Sequence, residues 1–160
     1  EGEVVDVATG QILAEGRYPN VKTIIPTKDP LATIGLNVRH AIDALKALQQ
    51  VGTVPTAPGR TKARKKDVIL KLDIEGEWPT ISTIGGTATA TYELQALTAG
   101  SEQIKTAFNS NYMIQALELF KDALPLNGDL EITLKIYGAI APLVLAFEDS
   151  LMALIMSIRI

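Results

Sequence analysis

The chain carries a copy of part of itself. Residues 34–48 (IGLNVRHAIDALKAL) align without a gap to residues 106–120 (TAFNSNYMIQALELF), 72 positions further on. Asn37, Ile42, Ala44 and Leu45 fall on Asn109, Ile114, Ala116 and Leu117, and Leu36 and Leu48 fall on Phe108 and Phe120. A match at a fixed spacing means that one supersecondary unit is used twice, so any fold for this chain has to be built from two similar halves.

Each copy has the same grammar: a short alternating strand, an Asn, then an amphipathic run. Asn is suited to the position before a helix because its side-chain oxygen accepts a bond from a free N–H of the first turn. At 3.6 residues per turn, Ala41, Ile42, Leu45 and Leu48 share one face of the first helix, and Met113, Ile114, Leu117 and Phe120 share one face of the second. Three strand-like runs follow each helix, 67–74, 80–84 and 87–94 in the first half and 130–137, 143–147 and 152–160 in the second. Leu130, Ile132, Leu134 and Ile136 alternate with polar neighbours, as a strand with one buried face requires. Gly85-Gly86 reads as a two-residue hairpin turn. The predicted architecture is α+β: two β-α-β-β-β units, residues 31–94 and 102–160, with both helices packed on one side of antiparallel sheets.

Two stretches lie outside the duplication. Residues 51–66 (VGTVPTAPGRTKARKK) hold two prolines, two glycines and five basic residues, and read as a long loop. Residues 1–30 offer a strand or hairpin through Ala14 and then a connection punctuated by Pro19, Pro26 and Pro30. This reads as the tail of a preceding domain plus an interdomain connector.

Composition narrows the class. The chain has 160 residues, 47% hydrophobic and 21% charged, enough for one well-buried domain of ordinary globular character. Cysteine is absent, which excludes disulfides and thiolate metal sites and fits a reducing compartment, so the cytoplasm is expected. The longest apolar stretches, 143–147 and 151–158, fall short of the roughly 20 residues that a membrane-spanning helix needs. Glu1 opens the chain with no basic or apolar leader, which suggests a cut fragment without a secretory signal. A net charge of −3 argues against a uniformly basic nucleic-acid coat but leaves room for a local patch.

The inventory for catalysis is poor. With one histidine, His40, no histidine metal cluster can form and any triad would hang on a single helical side chain. Asp73, Glu75 and Glu77 alternate at a strand end, the one arrangement able to hold Mg²⁺ for a hydrolase, and read better as a charged solvent face. No phosphate-cradling glycine loop is present. Neither an enzyme nor a cofactor is expected.

Three local segments resemble the third, carboxy-terminal domain of the bacterial DNA sliding clamp, the beta subunit of DNA polymerase III. Residues 15–26 (EGRYPNVKTIIP) are similar to that family's interdomain connector, an acidic residue, Gly-Arg, an aromatic, Pro, and an aliphatic-Pro ending. Residues 108–117 (FNSNYMIQAL) resemble its second helix, and residues 154–160 (LIMSIRI) its terminal strand, with Ser157 where proline is usual. They occur in the family's order and spacing, from about Gln11 to Ile160.

The resemblance implies a non-catalytic processivity factor. A ring of such domains surrounds duplex DNA without reading its sequence, and a groove binds peptides of polymerase, clamp-loader and repair proteins. It implies that Arg39, His40 and Lys46 of the first helix face the DNA. The loop cations Arg60, Lys62, Arg64, Lys65 and Lys66 form a denser cluster able to brush the phosphates. It also implies that Pro19, Thr23, Ile24, Ile140, Leu154, Met156, Ser157, Ile158, Arg159 and Ile160 form one wall of the groove, with Ile155 turned into the core. Partners would then be DNA, these peptides and other clamp domains in a ring, with no membrane. A reading of another class is a self-associating structural β-module with no nucleic-acid role, suggested by the acidic balance.

Overall fold

In a computed structural model of the chain, the described residues are 2–5, 12–16, 20–52, 68–75, 78–84, 88–94, 103–124 and 130–160. An antiparallel hairpin, β1 (Gly2–Val5) and β2 (Ile12–Gly16), comes first, then a single helical turn, α1 (Val21–Ile24). The first unit runs β3 (Ala32–Asn37), α2 (Val38–Val51), β4 (Ile69–Ile74), β5 (Thr80–Thr83) and β6 (Thr91–Glu93). The second runs β7 (Ile104–Asn109), α3 (Ser110–Ala123), β8 (Glu131–Ile136), β9 (Leu143–Phe147) and β10 (Leu151–Ile155).

The duplication holds residue for residue through the first two elements. Strands β3 and β7 are both six residues, and helices α2 and α3 both 14, each pair displaced by 72. The caps match as well: Asn37 sits at φ −76°, ψ 118° and Asn109 at φ −75°, ψ 117°, each accepting a first-turn N–H, from His40 and Asn111 respectively. Beyond the helices the displacement falls to 62, from Ile74 to Ile136, so the connection after α2 is ten residues longer than the one after α3.

The units are not separate. One four-stranded antiparallel sheet has the order β10-β9-β8-β3 and the other β6-β5-β4-β7, so each unit's first strand lies in the other unit's sheet. Ala32–Asn37 pairs with Ile136–Glu131 in one, and Ile104–Asn109 with Ile74–Ile69 in the other. Both helices pack on the same core. The stripes expected from the sequence are buried: Ala41, Ile42, Leu45 and Leu48 on α2, and Met113, Ile114, Leu117 and Phe120 on α3. They close over Ile34, Leu70, Leu72, Phe108, Leu134, Ile136, Leu143 and Leu145, fully buried strand residues contributed by both units. Each such side chain contributes about 1.5–3 kcal/mol by leaving water.

Two expectations need correction. The β5–β6 register sets Thr80 against Glu93 and Ser82 against Thr91, which centres the hairpin between residues 86 and 87. A two-residue turn at Gly85-Gly86 would instead set Ser82 against Thr89. The longer connection lets Tyr92 pack opposite Ile81, and that core contact outweighs local turn preference. Residues 85–87 themselves lie outside the described set. The expected strand 152–160 also ends early: β10 stops at Ile155, and the chain leaves its sheet to meet β7 of the other sheet through an isolated bridge, Ile158 to Ala107.

Candidate functional site

The crossing of the terminal segment between sheets shapes the surface where the peptide-groove residues were expected. Ile158 donates its N–H to the Ala107 carbonyl at 2.7 Å. One residue earlier on β7, the Thr106 hydroxyl donates to the Ala139 carbonyl at 2.9 Å, holding the 137–142 connection that carries Ile140. That connection bends over residues 139–141, just after Gly138, whose φ of 157° is one that side-chain-bearing residues rarely adopt. One strand therefore fixes both the Ile140 loop and the tail. Neither Thr106 nor Ala107 carries a functional signature in the sequence. The signal that marks them is their departure from the repeat.

Around these anchors the surface is aliphatic. Ile140 and Ile160 are 73% and 63% exposed and Met156 61%, while Leu154, Ser157 and Ile158 are half-buried and Arg159 is exposed. Ile155 is buried, as expected. The Ser157 hydroxyl is shut away from solvent without a hydrogen-bond partner. Thr23 and Ile24 lie in α1, where Thr23 bonds back to the Asn20 carbonyl through both its N–H and its hydroxyl, and Ile24 is exposed. Hydrogen bonding thus joins the Ile140 connection to the tail through β7, while in α1 Thr23 bonds back to its own turn. Pro19 lies outside the described residues.

On the helices, Arg39, His40 and Lys46 are exposed, as a DNA-facing role needs. Lys46 is engaged: its Nζ lies 3.0 Å from Glu118 Oε1 on α3, the residue at the matching place in the second unit. Across both helices the cations outside the core are Arg39, Lys46 and Lys121, and the anions are Asp43, Glu118 and Asp122. The face is charge-balanced. Arg60, Lys62, Arg64, Lys65 and Lys66 lie outside the described residues.

The carboxylates considered for a metal are occupied otherwise. Asp73 Oδ2 lies 2.9 Å from Lys71 Nζ and 3.8 Å from Lys105 Nζ, and Lys105 reaches Glu75 at 3.9 Å. Asp73 thus pairs along its own strand with Lys71 and across to Lys105 on β7, an ion-pair cluster on the sheet face. Glu77 lies outside the described residues. Among the described residues, no helix is long and apolar enough to cross a membrane.

Two pseudo-symmetric units, their first strands exchanged between two four-stranded sheets and two helices over a shared core, make up the fold of one DNA sliding-clamp domain. The particular likenesses are to clamps of bacterial DNA polymerase III. The polymerase III beta chain of Streptococcus pneumoniae TIGR4 superposes with a TM-score of 0.71 at 22% identity, over 93% of this chain and 36% of that one. The Bacillus subtilis sliding clamp gives 0.69 at 22%, over 93% and 36%, and the DNA polymerase III beta subunit of Thermotoga maritima gives 0.69 at 16%, over 91% and 35%. The chain spans about a third of the length of these clamps. At these identities the likeness is one of fold. No protein-family model matches the chain, and no curated protein matches it in sequence.

Proposed function

We propose that residues 31–160 are a sliding-clamp domain, with residues 1–30 the tail of the domain before it and the connector. In this reading the domain is non-catalytic and cytoplasmic, helps a ring enclose duplex DNA, and supplies one wall of a groove for polymerase, loader and repair-protein peptides. The observation that carries the reading is the fold likeness over 93% of the chain. The exposed aliphatic side chains Ile140, Met156 and Ile160, on the connection and tail that β7 holds, support the groove, because isolated large apolar side chains are ordinary but several beside one anchoring strand suit apolar anchors of a partner, and Ile24 is exposed as well. Flexible methionine suits varied partners.

Arg39, His40 and Lys46 would face the DNA, supplemented by the cations of 60–66. A charge-balanced helix face releases few counterions on approaching phosphate, so retention by enclosure rather than by affinity is expected. The same balance would suit a self-associating module, and one experiment separates the two. Loaded on nicked circular DNA, the full-length protein should stay bound through a high-salt wash and be lost when the circle is linearised. Equal loss from circular and linear DNA overturns the clamp reading.

The groove is tested separately. Met156→Glu in the full-length protein should weaken a labelled peptide carrying a polymerase's clamp-binding motif at least about tenfold in fluorescence anisotropy, by putting an uncompensated charge against apolar anchors. Unchanged affinity would place the groove elsewhere.

A further inference from the structure

The repeat supplies a reference for every position of β7, and two positions break it. Thr106 is the counterpart of Ile34, and both are fully buried, Ile34 as an apolar core residue on β3. Thr106 sits opposite Leu72, also fully buried, so a hydroxyl stands on the core-facing side where the unit's own pattern calls for an aliphatic residue. Placing a hydroxyl there is unfavourable unless it is hydrogen-bonded, and its partner is the Ala139 carbonyl, next to Ile140. The neighbouring pair tells the same story. Gly35 on β3 is exposed, with nothing near the place of a Cβ, whereas its counterpart Ala107 is fully buried and accepts the bond from Ile158.

We infer that Thr106 is a positioning residue for the peptide groove: its hydroxyl fixes the Ile140 loop against the strand that also anchors the tail, and so sets the spacing between Ile140 and Ile158. This rests on the groove reading given above. The two anchors are consecutive residues of one six-residue strand, itself held along its whole length by β4. A displacement of the loop relative to the tail therefore requires breaking the Thr106 bond, and little else in that strand can yield. Apolar anchors of a peptide laid along this wall would meet Ile140 and Ile158 at a fixed separation.

The test uses the full-length protein and the labelled clamp-binding peptide. Thr106→Val keeps shape and removes the hydroxyl, and should weaken binding about three- to tenfold, while Thr106→Ser should bind within about twofold of the unaltered protein. Ile140→Ala should weaken binding in the unaltered background and add little in the Thr106→Val background, because both changes act through one loop. Equal affinity of the Val and unaltered proteins, or fully additive losses with Ile140→Ala, would overturn the inference. If the unaltered protein binds no peptide, the groove reading itself fails, which is a different result.

Discussion

Gly52 and Gly35 show how differently one residue type is constrained within a single unit. Gly52 closes α2, donating its N–H to the Leu48 carbonyl, and an added Cβ would lie 2.7 Å from Val68 Cγ1 and 3.5 Å from Thr83 Cγ2. Its φ of −73° is open to any residue, so the requirement is one of space. Gly52→Ala should destabilise the protein by about 1–3 kcal/mol, as overpacking does. Gly35→Ala, with open space around it, should be neutral or stabilise by up to about 1 kcal/mol, since an exposed strand glycine costs backbone entropy. Thermal denaturation of the two variants checks both, and equal midpoints would contradict the packing argument. Nothing in the sequence distinguishes these glycines, because the neighbours that matter to Gly52 arrive from Val68, just before β4, and from Thr83 of β5. Thr106 was hidden for the same reason: a threonine in a strand looks ordinary until its partner loop is known. Leu154, Met156 and Ile158, by contrast, were expected on one face of a strand running to 160, and that strand ends at Ile155, because the tail leaves for β7 of the other sheet.

Among the elements, the helices were the most legible and the strand partners the least. Periodicity and the two asparagines gave both helices and their buried faces, since those depend on residues three or four apart. Strand exchange could not be read, because pairing of β3 with β8 and β4 with β7 is decided by contacts far apart in sequence. The caps differ in a way that can be measured. Asn37 is half-exposed and bonds His40, whereas Asn109 is only 8% exposed, bonds Asn111 and makes a further interaction. Asn37→Ala should cost about 1 kcal/mol, the usual loss of an N-cap, and Asn109→Ala more, because a buried polar site loses its partners as well. Urea unfolding resolves the two, and an equal or reversed order would show that burial adds nothing to the Asn109 cap. The exposed pair Lys46–Glu118 belongs at the opposite end of the scale, contributing at most about 1 kcal/mol.

In the molecule as a whole, the exchanged strands bind the two units into one core, and this has a consequence for either unit on its own. Residues 103–160 alone would present β7 with no β4 and β8 with no β3, leaving apolar faces and strand edges open at once. Two copies can mend both defects, each lending its first strand to the other. Expressed separately, the second unit should sediment as a domain-swapped homodimer that unfolds on dilution; a folded monomer would show that the exchange is dispensable. The chain is then a dimer made permanent by a covalent tether. Identical protomers must carry every substitution twice, at sites that face each other across the axis. Once tethered, the halves are released from that obligation, and one can keep an isoleucine for packing while the other turns the same place over to a threonine.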